Sequence, residues 1–215
     1  MTSLLAAETG SQVPTLLVRP PEAVSALDEC LAICDIAGLV LDPWQVTAVG
    51  SMLGEDEYGR WAATECGLDV PRQNGKGGVL EARALYELFI VGADRPNHLI
   101  IWTAHEFKTA QEAFLRMKAL VVNSPALMAN VSNIRNANGE EGFELANGAR
   151  LRFVARGKNS GRGFSADLLI LDEAQVLPAA MIRATMPTLS ARPNPQIIYA
   201  GTPPETGGGN STHWV

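Results

Sequence analysis

The sequence predicts an α/β domain in which a mostly parallel central sheet is flanked by helices. From Trp61 onward, short apolar runs alternate with segments that carry helical spacing. The run Leu168–Leu171 is apolar at every position, as expected of a strand buried on both faces. The chain has 215 residues, which is enough for one such domain with its own core. Together these features favour strands joined by right-handed helical crossovers.

Turn and capping residues divide the chain into predicted elements. Gly38 follows one helical pattern where a C-cap glycine is expected, and Asp42-Pro43 begins another helix. Asn147-Gly148 is a strong signal for a β-hairpin. The predicted helices cover residues 23–37, 43–53, 79–91 and 108–122. The predicted strands cover residues 62–70, 98–103, 144–146, 150–155, 168–171 and 196–200.

The composition is that of a globular protein. Hydrophobic residues make up 47% of the chain and charged residues 19%. No apolar run reaches the roughly 18 residues that a membrane span requires, and the first residues lack the pattern of a secretory signal. The chain has three cysteines, Cys30, Cys34 and Cys66; Cys30 and Cys34 lie four apart on a predicted helix and could be zinc ligands, but no CxxC or His-x-His set accompanies them. We therefore expect buried, reduced thiols in a cytosolic protein.

The charge distribution restricts where a nucleic acid could bind. The net charge is −6 and the isoelectric point is near 5.1, so any contact with DNA must be local. The stretch from position 150 to 162 contains no acidic residue and five basic ones, Arg150, Arg152, Arg156, Lys158 and Arg162. This stretch predicts either a patch that binds DNA phosphates or a strand face that meets solvent or a neighbouring subunit.

The strongest local signal is residues 70–77, Val-Pro-Arg-Gln-Asn-Gly-Lys-Gly, which we call the phosphate loop. It lies between a predicted strand and a predicted helix, where backbone N–H groups can bind a polyphosphate. The pattern departs from G-x-x-x-x-G-K-[ST], because Val70 replaces the first glycine and Gly77 replaces the Mg²⁺-binding hydroxyl. A plain surface turn remains the alternative. The predicted nucleotide contacts in this loop are Gln73, Asn74, Gly75, Lys76 and Gly77.

A second signal follows the apolar strand at 168–171. Asp172 and Glu173 come directly after it, at the strand end where open α/β sheets bind ligands. Asp172 is the predicted Mg²⁺ ligand, and Glu173 is the predicted general base that polarises the attacking water. The alternative is that both carboxylates begin a helix, whose dipole favours acidic residues there.

Both signals resemble motifs of the tailed-phage terminase large subunits. Arg72-Gln73-Asn74-Gly75-Lys76 resembles the deviant Walker A motif of that family, and Asp172-Glu173-Ala174-Gln175 resembles its Walker B motif. The resemblance covers about residues 24–204. It implies a P-loop NTPase fold of the ASCE or RecA-like type, with ATP and Mg²⁺ as cofactors.

Further motifs follow in the family's order. Leu41-Asp42-Pro43-Trp44-Gln45 resembles the adenine motif, which implies that the Gln45 amide pairs with the adenine edge. Trp102-Thr103-Ala104-His105 ends a strand as the next family motif does. Residues 199–203 resemble the coupling motif, in which the Thr202 hydroxyl would sense the γ-phosphate side. The alternative for residues 41–45 is a capped helix with a core tryptophan. For residues 102–105 it is a strand-to-helix cap, and for residues 199–203 it is a β-turn.

Two arginines are candidates for stabilising charge during transfer of the γ-phosphate. Arg72 lies in the phosphate loop and could act within its own chain. Arg162 lies between glycines ten residues before Asp172, where the resemblance implies an arginine that acts across a subunit interface. A DNA or solvent contact is the alternative for Arg162.

The resemblance implies a motor domain that hydrolyses ATP to move viral double-stranded DNA into a procapsid. It also implies a homo-oligomeric ring, contacts with a portal and a small terminase subunit, and a location in the host cytoplasm at the procapsid portal. We expect residues 1–60 to form a helical segment carrying the adenine motif and 61–215 to form the ATPase core. We expect no membrane association, no C-terminal nuclease domain and no DNA cleavage.

Two other functions fit the same residues. One is another nucleic-acid-dependent P-loop ATPase, such as a helicase core. The other is a catalytically silent assembly module, which Gly77 in place of a hydroxyl favours.

Overall fold

The computed structural model describes residues 11–137, 139–156, 165–178, 189 and 191–203. The helices in this part are α1 Leu27–Ala37, α2 Pro43–Met52, α3 Lys76–Tyr86, α4 Gly92–Asp94, α5 Phe107–Asn123 and α6 Pro125–Met128. A π-helical stretch, Glu87–Val91, joins α3 to α4, and a 3₁₀ turn covers Ala174–Val176. The strands are β1 Val24–Ser25, β2 Gly54–Glu55, β3 Glu65–Asp69, β4 Leu99–Ala104, β5 Val131–Arg135, β6 Gly142–Leu145, β7 Arg150–Ala155, β8 Leu168–Asp172 and β9 Gln196–Gly201.

Seven strands form the central sheet in the order β3-β9-β8-β4-β7-β6-β5. The first five are parallel to one another, while β6 runs antiparallel to both β7 and β5. The predicted α/β class with a mostly parallel sheet is confirmed. Because parallel strands end at one edge, the carboxyl ends of β3, β9, β8 and β4 lie side by side there.

Hydrophobic cores cover both faces of the sheet. Ile100 and Trp102 of β4 belong to the larger core, which also contains residues of α1, α2, α3 and α5. Ile101, which points to the opposite face, belongs to a smaller core with Leu169 and Leu171. This arrangement explains why β4 and β8 are almost entirely apolar.

The segment before residue 60 packs on the phosphate-loop helix. Helices α1 and α2 contact α3, and β1 and β2 pair as a small antiparallel sheet. All three cysteines are free and buried, as expected; Cys30 and Cys34 lie on α1. Since this segment and the sheet share the larger core, they fold against each other. The proposed division at residue 60 stays a prediction.

Several element boundaries differ from those predicted. Helix α1 begins at Leu27 rather than residue 23, because Val24 and Ser25 pair with β2. Helix α3 begins at Lys76 rather than residue 79, because Gly75 ends the loop in a left-handed conformation. Strand β5 was not predicted, since its alternation of polar and apolar residues is weak. The predicted hairpin at Asn147-Gly148 is confirmed by the antiparallel pairing of β6 and β7.

Candidate nucleotide-binding site

The phosphate loop connects β3 at the edge of the parallel strands to the start of α3. Val70 donates a backbone hydrogen bond to the Gly201 carbonyl, which ties the start of the loop to the end of β9. Gly75 has φ +80°, and a Cβ there would lie 2.8 Å from Nε2 of Gln45. Glycine at 75 is therefore required by both the backbone conformation and the close approach of Gln45. The loop side chains of residues 71–75 are exposed, so the helix N-terminus is open to an anion.

Lys76 and Asp172 are joined across the carboxyl edge of the sheet. Lys76 Nζ lies 2.7 Å from Asp172 Oδ1, and the two side chains are 18% and 9% exposed. The same carboxylate oxygen accepts a hydrogen bond from the Glu173 backbone N–H. Two motifs 96 residues apart in the chain therefore meet in one mostly buried ion pair. The Lys76 side chain is therefore mostly buried although the loop before it is exposed, because Asp172 holds it at the end of β8.

Glu173 is held in a strained conformation beside this pair. Its φ is +54°, a left-handed value that is uncommon for a residue with a side chain. One carboxylate oxygen accepts from the His105 backbone N–H at 3.0 Å, and the other accepts from the Thr109 hydroxyl at 3.3 Å. The carboxylate is thus bound both to the loop that follows β4 and to the first turn of α5.

Arg156 also belongs to this site. Its guanidinium donates to the Thr103 hydroxyl at 3.1 Å and to the Glu173 carbonyl at 3.1 Å. Burial lowers the pKa of Arg156, and the nearby carboxylates of Glu173 and Asp172 oppose that shift. In the sequence Arg156 belongs to the basic stretch, for which contacts with DNA, solvent or a neighbouring subunit were predicted. In the structure its guanidinium instead bonds within the chain, at the carboxyl edge of the sheet.

Gln45 connects α2 to the phosphate loop. Its Oε1 accepts from the Asp42 N–H at 2.6 Å, which completes a capping box, and its Nε2 donates to the Gly75 carbonyl at 2.7 Å. The side chain is buried. Adenine binding by Gln45 stays a prediction; beside these two bonds the amide keeps a second N–H donor and a second acceptor lone pair.

Thr202 follows β9 at the same edge of the sheet. Its backbone N–H donates to Oε1 of Gln175 at 3.2 Å, so the end of β9 is tied to the 3₁₀ turn after Asp172. Its proposed role as a γ-phosphate sensor stays a prediction.

Of the remaining predicted site residues, the structure describes those of the phosphate loop but not Arg162. Arg72 and Asn74 are exposed, and Gln73 has a positive φ of +62°. Arg72 makes no ion pair within the described part of the chain. Arg162 lies outside the described residues, so its role as an arginine finger stays a prediction.

The basic stretch is only partly described. Arg150 and Arg152 alternate with the buried Leu151 and Phe153, so both arginines lie on the same face of β7, as predicted. Both are half-buried, and Nε of Arg150 is buried and has no hydrogen-bond partner among the residues that the structure describes. Lys158 lies outside the described residues.

Asp172 is the carboxylate best placed to hold a magnesium ion. Mg²⁺ in nucleotide sites is bound through one or two carboxylates together with phosphate oxygens and waters. A single buried carboxylate beside the phosphate loop fits that chemistry. Among the described residues there is no group of three or more His, Cys, Asp or Glu that could hold a metal without a nucleotide.

A strand-loop-helix with a lysine, facing a carboxylate at the end of a parallel strand two places away in the sheet, is the arrangement typical of P-loop nucleotide-binding domains. The fold is more particular: it is that of the ATPase domain of phage large terminases. The HK97 bacteriophage large terminase superimposes with a TM-score of 0.65 and 22% identity over 83% of this chain. The large terminase ATPase domain of Thermus phage P74-26 has a TM-score of 0.56 and 20% identity over 86% of this chain and 71% of its own.

A third similar structure was solved with a nucleotide analogue. The large terminase of a thermophilic bacteriophage, in complex with ATP-gamma-S, has a TM-score of 0.53 and 9% identity, over 73% of this chain and 36% of its own. The present chain spans about 38% of the length of the HK97 large terminase. The sequence itself matches no family model and no curated protein. In the described residues, no helix is long and apolar enough to cross a membrane.

Proposed function

We propose that this chain is an ATP-hydrolysing motor domain that drives viral double-stranded DNA into a procapsid. The observation that carries the proposal is the contact between Lys76 and Asp172, within the fold of large terminase ATPase domains. It brings a phosphate-binding cation and a metal-binding carboxylate together next to a second carboxylate, Glu173. These are the groups that phosphoryl transfer to water requires.

Nucleotide binding would change the partner of Lys76. A triphosphate carries several negative charges and approaches the N-terminus of α3, so Lys76 would exchange the Asp172 carboxylate for phosphate oxygens. Asp172 would then be free to hold Mg²⁺, which neutralises phosphate charge when it is bound. The ion pair keeps both groups in place before the ligand arrives.

Glu173 would orient the attacking water once it leaves its present partners. One carboxylate oxygen is now bonded to His105, in the loop between β4 and α5, and the other to Thr109, in the first turn of α5. A general base must reach the proton that it removes, so hydrolysis requires Glu173 to release at least one of these contacts. Arg156 keeps the Glu173 backbone in place during that change, because it binds the carbonyl and not the carboxylate.

ATP hydrolysis with and without DNA is the first test of this function. We expect the wild-type protein to hydrolyse ATP and Glu173→Gln to bind ATP without turning it over. Hydrolysis that DNA does not stimulate would favour a P-loop ATPase of another kind. Nucleotide binding without any hydrolysis in an assembled complex would favour the silent assembly module, for which Gly77 is the supporting feature.

DNA is the proposed substrate of the motor, and Arg150 and Arg152 are its proposed contacts in the described part. They lie on the face of β7 opposite Leu151 and Phe153, which pack in the larger core together with α3. Contacts of this type bind phosphates, so they are sensitive to salt and independent of sequence. The double variant Arg150→Glu/Arg152→Glu should reduce DNA-stimulated ATP hydrolysis more than basal hydrolysis. Both rates are measured at two salt concentrations, because contacts with phosphates weaken as salt increases.

Arg152→Glu alone is the second variant, because Nε of Arg150 is buried and a substitution there would also change the packing around it. Lys118→Glu serves as a charge-reversal control on α5. Equal loss of basal and stimulated rates in Arg152→Glu would contradict the assignment of this face to DNA.

The ring and its arginine finger are the proposed assembly. We propose a homo-oligomeric ring at the procapsid portal in the host cytoplasm, with a small terminase subunit as a further partner. If Arg162 acts across the subunit interface, Arg162→Ala and Glu173→Ala chains should regain some activity when mixed. An arginine finger is worth about 10³–10⁵ in rate, so partial rescue is measurable. Inactive mixtures under conditions in which wild-type rings hydrolyse ATP would favour Arg72 instead.

A further inference from the structure

Gly77, at the second position of α3, leaves room for an arginine from another helix. A Cβ at this position would lie 3.1 Å from an Nη2 atom of Arg116 and 3.4 Å from Oε1 of Glu81. The backbone of Gly77 is helical and does not itself require glycine. The absence of a side chain at Gly77 therefore provides space for the Arg116 guanidinium, which lies where a Cβ would crowd it.

Arg116 is anchored through one nitrogen of its guanidinium, Nε. It lies on α5, and its Nε donates to Glu81 Oε1 at 2.6 Å. Glu81 is nearly buried, with 8% of its side chain exposed, whereas the Arg116 side chain is 48% exposed. Within the described part of the chain, Nη1 and Nη2 have no hydrogen-bond partner. Glu81 thus fixes the direction of the guanidinium and leaves its outer donors available.

We propose that Arg116 binds the terminal phosphates of the nucleoside triphosphate, an inference that rests on the proposed nucleotide site. Its guanidinium lies against the first turn of α3, where backbone N–H groups and Lys76 already favour an anion. A guanidinium presents a planar pair of donors that matches phosphate oxygens. Where other phosphate loops carry a hydroxyl that binds the metal, this loop carries a glycine that admits a phosphate-binding cation.

The test is Arg116→Gln, which keeps an amide donor for Glu81 but removes the charge and the fork. Affinities for ATP, ADP, AMP and inorganic tripolyphosphate are measured by calorimetry with EDTA, so that the metal does not contribute. A charge-assisted hydrogen bond contributes about 1.5–3 kcal/mol, so we expect ATP and tripolyphosphate to bind about ten- to a hundredfold more weakly. AMP affinity should stay the same, and Arg116→Lys should lie between Arg116→Gln and the wild type.

Lys118→Gln is the matched control, because it removes one positive charge from the same helix while its own amine bonds to Asn136. Unchanged ATP affinity in a folded Arg116→Gln protein would overturn the inference and leave the proposed nucleotide site intact. Equal weakening of AMP and ATP would also overturn it, because the residue would then act on the fold of the site. A wild-type protein that binds neither ATP nor tripolyphosphate would overturn both the site and the inference.

Discussion

Lys76→Ala should destabilise the nucleotide-free protein as well as abolish nucleotide binding. The substitution leaves the Asp172 carboxylate, 9% exposed, without the amine that lies 2.7 Å away. Removing one partner of a buried ion pair costs about 3–5 kcal/mol, and the 18% exposure of Lys76 places the expected loss near the lower end. For a chain of 215 residues, about 3 kcal/mol corresponds to a fall in Tm of roughly 6–12 °C.

Thermal unfolding followed by circular dichroism measures this loss without a ligand. The variant Lys76→Ala/Asp172→Ala should be more stable than Lys76→Ala, because no carboxylate is then left unpaired. Lys108→Ala removes an exposed lysine from α5 and is the control. A fall in Tm of less than about 2 °C for Lys76→Ala would refute the reasoning, because an ion pair of this burial cannot be lost at so little cost.

Three other outcomes are expected. Thr109→Val removes one hydrogen bond that holds the Glu173 carboxylate, so basal ATP hydrolysis should rise about two- to tenfold. A lower rate of hydrolysis at unchanged Tm would instead show that Thr109 supports the active state. The second outcome concerns Glu87, whose buried carboxylate contacts the side chains of Arg83 and His98. Burial raises the pKa of Glu87, but these two groups outweigh burial and bring the pKa to about 2. Because the pKa of Glu87 is lower in the folded state, its ionised form stabilises the fold above about pH 4.5, and this stabilisation is lost as the pH falls toward 2. The urea concentration at the midpoint of unfolding should therefore decrease as the pH is lowered from 6 to 2.5. As the third outcome, Glu87→Gln should be less stable than the wild type at pH 7, and its stability should change less over this pH range. A pH dependence equal to that of the wild type would show that Glu87 is not its source.

Most of the fold could be predicted from the sequence because its determinants are local. The apolar runs at β4 and β8, the helical spacing of α5 and the turn at Asn147-Gly148 are each readable within a few residues. The two motifs at Lys76 and Asp172 could also be read, because each places a required residue type at the end of a predicted strand. Strand order could not be predicted, since pairing partners far apart in the chain leave no local pattern, and β5 was missed because its alternation of polar and apolar residues is weak.

The tertiary structure alone decided how the site residues are used. Arg156 and Arg116 are ordinary basic residues in the sequence, and only packing shows that one binds the Glu173 carbonyl and the other lies against Gly77. Likewise, the Gln45 amide bonds to Gly75, and Thr109 holds the Glu173 carboxylate. A sequence determines which groups are present and the element on which each lies. Whether a charge is paired, buried or free depends on distances between elements that only the folded chain brings together.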